Sequence, residues 1–269
     1  MRPKYPKLKF NTLRAYFGKP YVIDLEDCAG SITVYDPGMK AAFIDADEND
    51  FFGTLNLFTT NTTALRVFLD DLGMDWNEIT DFQLFILMYK QANPDVVNLL
   101  FGDLDLQGFE LSEKRGKDDE LGTMVLYNRE QNIEINEDVY QHIHQYLQMM
   151  FHMEPDEKIT NDALLKKWYL DKDRRDAAHR EQKKKKKDGE DNSSLQPLIS
   201  ACVNHPGFKY KLHEVENMGI CEFYDAVSRL NIYENTRALL QGSFSGMCDT
   251  SKIPKEQFNF MREIEKNKS

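Results

Sequence analysis

Five consecutive lysines, Lys183, Lys184, Lys185, Lys186 and Lys187, sit between two stretches that each carry the periodicity of folded chain. They lead into Asp188-Gly189-Glu190-Asp191-Asn192-Ser193-Ser194, which has no apolar residue. Such a segment buries too little apolar surface to offset the entropy lost on ordering it. Hydrophobic periodicity is strong to about Trp168 and resumes at Leu195. The run is therefore expected first as a joint between two modules. A continuous helix from Asn161 to Lys187 is the other outcome, because Lys, Arg, Ala and Gln are good helix formers. The layout that follows is an acidic α+β domain at 1–160, a basic helix or linker at 161–194, and a small all-helical module at 195–269.

Charge is distributed unevenly around that joint. The chain has 269 residues and a formal charge of −11, from 34 basic and 45 acidic residues. Residues 1–19 hold Arg2, Lys4, Lys7, Lys9, Arg14 and Lys19 and no acid. Residues 24–111 hold 17 acids against Lys40, Arg66 and Lys90. Residues 166–187 hold eleven basic residues against Asp171, Asp173, Asp176 and Glu181. An acidic body disfavours general binding of nucleic acid, while the basic joint leaves an electrostatic contact open. Cys28, Cys202, Cys221 and Cys248 lie far apart with no C-x-x-C pair, so reduced thiols are expected rather than a disulfide framework or a zinc site. The longest apolar run, around Leu84 to Met88, is far too short to span a membrane, and a soluble, unsecreted protein is expected.

Local patterns supply the elements. Residues 1–59 read as rich in strands and loops, with strands at Tyr21-Val22-Ile23 and Ile32-Thr33-Val34-Tyr35, a turn at Asp36-Pro37-Gly38, and an acidic loop or helix start at Asp45 to Asp50 before Phe51-Phe52. Leu65, Phe68, Leu69 and Leu72 recur at helical spacing before Gly73. Phe82, Phe85, Ile86 and Tyr89 do the same behind a Thr80-x-x-Gln83 capping box, and Asn93-Pro94 reads as the end of that helix. The mixed N-terminal domain continues with a hairpin, Met124 to Tyr127 and Ile133 to Ile135. Asn136 then caps a helix carrying Val139, Ile143, Leu147 and Met150. Thr160 is expected to cap a helix through Trp168. After the joint come a helix from Leu195 to Val203, a longer one through Ile220, Phe223, Tyr224, Val227 and Leu230, a new start at Asn235, and a short last helix after Pro254.

No residue set with catalytic, cofactor-binding or metal-binding spacing emerges, and none is assigned. Asp103 to Gly108 starts like a calcium loop, but Lys114 stands where a bidentate carboxylate is needed. Asp45 to Asp50 lacks the sharp-turn glycine. His142 and His144 are two apart on a helix and point to different faces, and His152 has no carboxylate or cysteine to complete a ligand set with His144. Gly242-Ser243-Phe244-Ser245-Gly246 puts Phe244 where a nucleophilic serine would stand. The remaining candidates are partner contacts: Lys183 to Lys187, and Tyr233, beyond the apolar stripe of the last module. Five lysines without interleaved aromatics supply charge and no stacking platform.

Three stretches together resemble tail-module proteins, including tail-assembly chaperones, of tailed bacteriophages and prophages of Gram-positive bacteria. The first runs from Ile32-Thr33-Val34-Tyr35-Asp36-Pro37 to Leu65-Arg66-Val67-Phe68-Leu69 and Gly73-Met74-Asp75-Trp76-Asn77-Glu78-Ile79-Thr80-Asp81-Phe82. The second is Leu100-Phe101-Gly102-Asp103-Leu104-Asp105 with Asp138-Val139-Tyr140. The third runs from Leu195-Gln196-Pro197-Leu198-Ile199-Ser200 through Gly207-Phe208-Lys209-Tyr210 to Phe223-Tyr224-Asp225-Ala226-Val227-Ser228-Arg229 and Gly242 to Gly246. The resemblance implies a non-enzymatic protein of tail or baseplate assembly, binding tape-measure, tube or baseplate subunits in the host cytoplasm or staying in the virion tail. The rival expectation is a nucleic-acid-binding accessory protein acting through residues 166–187.

Overall fold

The structure is a computed structural model that describes residues 5–114, 122–154, 156–186, 193, 195–246, 251–264 and 267–268. Short helix α1 (Thr12–Tyr16) precedes a hairpin of β1 (Tyr21–Ile23) and β2 (Ile32–Val34). A π-turn at Ala41–Asp45 leads into α2 (Glu48–Thr59), α3 (Arg66–Asp71), α4 (Asp81–Met88) and α5 (Pro94–Phe101). An antiparallel sheet then forms in the order β3 (Glu110–Lys114), β4 (Thr123–Asn128), β5 (Ile133–Ile135). Helix α6 (Glu137–Met150) follows, then β6 (Met153–Glu154), which pairs in parallel with β7 (Asn267–Lys268). The remaining helices are α7 (Ala163–Lys186), α8 (Gln196–Asn204), α9 (Leu212–Glu216) and α10 (Ile220–Phe244). The class is α+β, with small antiparallel sheets set among helices.

The centre is aromatic. Phe58, Phe82, Phe85 and Tyr140 are buried on α2, α4 and α6, with ring centroids 5.1 to 5.5 Å apart along Phe58–Phe85–Tyr140–Phe82. The α4 helix starts where its sequence says: Thr80 Oγ1 accepts from the Gln83 amide and Gln83 Oε1 accepts from the Thr80 amide. Leu84 and Met88 face a second cluster with Leu69 and Trp76, so α4 is buried on two sides. Asn136 Oδ1 accepts from the Val139 amide and opens α6, whose Val139, Ile143, Leu147 and Met150 are buried as their spacing predicts.

A polar run, Thr59 to Thr63, is also buried, and long-range bonds engage several of its groups. Asp81 Oδ1 accepts from the Thr62 amide, Gln148 Nε2 donates to the Thr59 carbonyl, and Asn61 Nδ2 donates to the Asp156 carbonyl. Asn77 Nδ2 donates to the Thr160 carbonyl at 2.6 Å. These bonds lay residues 156–160 along the α2–α3 connection and aim the chain into α7.

Several expectations are corrected. Residues 1–59 are less strand-rich than expected: of the two outcomes at Asp45 to Asp50 the helix start is the one formed, with Asp47 Oδ1 accepting from the Asn49 and Asp50 amides to cap the twelve-residue α2. Asn93-Pro94 begins α5 instead of merely ending a helix: Asn93 is the N-cap and Pro94 takes the first turn, where its missing N–H costs nothing. In α3 only Leu69 of the apolar stripe is fully buried, while Leu72 is half exposed. Asp162, not Thr160, accepts from the amides of the first turn of α7. Asn235 lies inside α10, which runs unbroken for 25 residues. The basic joint is helix as far as Lys186.

The expected division at 161–194 does not separate two cores. Val215, Met218, Ile220, Cys221 and Phe223 belong to the same buried cluster as Val34, Phe51, Phe85 and Leu147. The seam is tied by backbone as well. The Met39 amide donates to the Met218 carbonyl, and the Ile220 amide donates to the Pro37 carbonyl.

Candidate functional site

Helix α7 carries most of the residues singled out by charge. Its first half is anchored to the body. Arg66 on α3 is 6 % exposed, and its Nε and Nη2 donate to the two carboxylate oxygens of Asp173 at 2.6 and 2.7 Å. The bidentate fork fixes both distance and rotation of the helix. The Arg66 guanidinium also lies 4.7 Å from the centre of the Tyr169 ring. Lys166 pairs with Asp75, and Arg174 bridges Asp70 and Asp71. Leu170 packs on the small Leu69–Trp76 cluster. From Arg174 to Gln182 every residue is exposed. That stretch presents Arg174, Arg175, His179 and Arg180 against Asp176 and Glu181. Lys183, Lys184, Lys185 and Lys186 form the end of α7, while Lys187 lies outside the described residues.

In the sequence Asp173 is one of four acids in a basic segment, and nothing adjacent to it marks it as the segment's anchor. Its partner Arg66 lies 107 positions away, and the only signal in the sequence was a basic residue isolated in an acidic region.

Tyr233 is on α10, half exposed at 51 %, next to buried Ile232. Ile220 and Phe223 of the preceding stripe are core. The structure thus puts the two proposed contacts on different helices.

A hollow of about 340 Å³ lies beside the start of α6, lined by Cys28, Asn136, Asp138 and His142 among others. It has the residue types of a thiol nucleophile and base without their geometry. Asn136 Nδ2 donates to Cys28 Sγ at 3.1 Å, and His142 Nδ1 is bonded to the Tyr21 hydroxyl at 2.6 Å. No hydrogen bond joins Cys28 to His142 among the described residues. Burial and, next, the charge of Glu134 push the Cys28 thiol up from its ordinary value, which lowers the thiolate fraction. His144, two residues on, is buried facing elsewhere: Nδ1 donates to the Phe58 carbonyl at 2.8 Å and Nε2 accepts from Gln148.

No group of three or more His, Cys, Asp or Glu side chains is placed to hold a metal ion among the described residues. Asp105 instead accepts from the Gln107 amide and starts a short 3-10 turn. No described helix is long and apolar enough to cross a membrane. Comparison with protein families, curated proteins and solved structures found no match for the chain.

Proposed function

We propose that the protein is a non-enzymatic assembly protein of a tailed phage, acting in tail or baseplate assembly by binding other tail proteins. Tape-measure, tube or baseplate subunits are the partners this reading names, met in the host cytoplasm during assembly. The observation that supports it is α7: a helix fixed to the body at Lys166 and Asp173 and exposed from Arg174 to Gln182, which presents a basic surface. A preordered helix loses little further entropy when a partner covers it. The phage assignment is supported by the sequence resemblance.

Co-purification with tail proteins tests the reading. The intact chain should retain a tail subunit, and substitution of Arg174, Arg175 and Arg180 by glutamine should release it. Retention unchanged by those substitutions would remove α7 from the contact. The exposed charge of α7 also supports the rival role in nucleic-acid binding. A mobility shift of duplex DNA that weakens steeply with salt and needs the same three arginines would favour it. Mass spectrometry of purified virions then separates a component, which is present, from a chaperone, which is not.

A further inference from the structure

A second cationic feature lies at the opposite end of the sequence. Lys9, Arg14 and Lys19 line one hollow of about 360 Å³ whose floor includes Tyr21 and Tyr146. No acidic side chain lines it. Among the described residues none of the three cations pairs with a carboxylate, whereas Arg66, Lys114, Lys158, Lys166 and Arg174 all do. In a chain of formal charge −11, three unpaired cations around one hollow mark a place where an anionic group is favoured.

The segment is held in shape. Asn11 Oδ1 accepts from the Arg14 amide and caps α1. Gly18 takes a left-handed φ of 61°, and the Lys19 amide donates to the Arg14 carbonyl at 2.9 Å, which turns Lys19 back beside Arg14. The Leu8 amide donates to Gln145 Oε1 and Gln145 Nε2 donates to the Pro6 carbonyl, so the approach to α1 is tied to α6.

The rim adds two further properties. Strand β1 pairs only with β2, and no backbone hydrogen bond reaches its other edge among the described residues. An open edge is a template for an added strand. Val22 on β1 lines the hollow and is more than half exposed, so an apolar side chain stands beside the cations.

We propose that the hollow between α1 and β1, with the free edge of β1, docks an extended acidic peptide segment of a partner protein. The peptide lies along β1, its carboxylates meet Lys9, Arg14 and Lys19, and its alternate apolar side chains cover Val22. The hollow holds a side chain or two rather than a polymer's length, and the strand edge supplies the rest of the contact through main-chain bonds. The inference rests on the assembly reading only for the partner being a tail protein. Its test needs no tail protein, so the two can fail separately.

Fluorescence anisotropy of the full chain with a fluorescein-labelled peptide of alternating Glu and Val provides that test. Changing Lys9, Arg14 and Lys19 together to glutamine should weaken binding roughly tenfold, the combined effect of three exposed charge pairs. All three side chains are exposed, so circular dichroism and the thermal midpoint should stay unchanged. Changing the exposed Lys167, Lys172 and Lys255 to glutamine alters net charge equally away from the hollow and should leave affinity within about twofold. A peptide N-methylated at its valines, unable to donate to a strand, should bind several-fold more weakly. Equal losses in the two triple variants would reduce the effect to net charge and overturn the proposal. So would equal binding of the N-methylated peptide, or no binding of the parent peptide. Tighter binding of an oligothymidine through the same three cations would assign the site to nucleic acid and overturn it too.

Discussion

Asp36 lies just past β2, and its Oδ1 accepts from the Cys221 amide at 3.1 Å, tying the N-terminal hairpin to the start of α10. Burial pushes its carboxyl up to about 6, against the lowering effect of the Cys221 and Ile220 amides. A raised carboxyl contributes stability that is present below its unfolded value, near 3.8, and is lost as pH rises through 6. The protein should therefore lose stability between about pH 4 and 6 from this group. Asp36→Asn keeps a carbonyl for the Cys221 amide and removes the charge. It should raise stability near pH 7 by roughly 1–3 kcal/mol and flatten part of the acid-side dependence. Glu137, raised mainly by burial, keeps the remainder. Thermal midpoints measured across that range decide it, and a lower midpoint for Asp36→Asn at neutral pH would show that the charge helps α10. Two other side chains calibrate the core. Phe85 is 1 % exposed, and Phe85→Ala should cost roughly 3–5 kcal/mol in chemical denaturation. Tyr233 is half exposed, and Tyr233→Ala should leave the midpoint nearly unchanged while weakening retention of a client. A fall in the midpoint with client binding intact would make Tyr233 a packing residue.

Elements announced by adjacent residues were legible; elements specified by distant partners were not. The capping box at Thr80 and Gln83, the Asn136 cap and the β4–β5 hairpin each rest on a few neighbouring residues, and the structure keeps them. Strand β3 is mostly polar and exposed, held by its pairing with β4, so no apolar alternation marked it. In α10 the exposed polar stretch around Asn235 looked like a break, but Thr236 is buried and its hydroxyl donates to the Gln257 carbonyl, which keeps that turn against the chain's last helical turn. The α7 helix shows the same division between local and distant causes. Its helical propensity was readable, whereas its direction depends on Arg66. Asp173→Ala strips a buried guanidinium of a bidentate partner and should cost roughly 1–3 kcal/mol. Amide exchange over 163–175 should accelerate with it. Arg174→Ala removes a solvent-exposed pair and should change neither. Equal exchange in the two variants would mean that Leu170 and its apolar neighbours, and not the Arg66 fork, hold α7 in place.

At the scale of the whole molecule, the lysine run divides the sequence without dividing the core. Composition revealed the polar segment, but not that Phe223 and Val215 would pack with residues from the first third of the chain. A core shared in this way makes a sharp prediction. Replacing residues 187–192 with a specific protease site and cutting there should yield two fragments that elute together under native conditions. They should separate only in denaturant, because the apolar surface of Ile220 and Phe223 is covered by the other fragment. Before cutting, calorimetry should show one cooperative transition. After cutting, the midpoint should depend on protein concentration, since unfolding now also releases a fragment. Fragments that part under native conditions while each keeps its helical signal would restore the two-module arrangement expected from the sequence. Ile220→Ala discriminates further. In a shared core it should lower the single midpoint of the intact chain and loosen the association of the cut fragments together, whereas in an independent module it would lower one of two midpoints and leave the other in place.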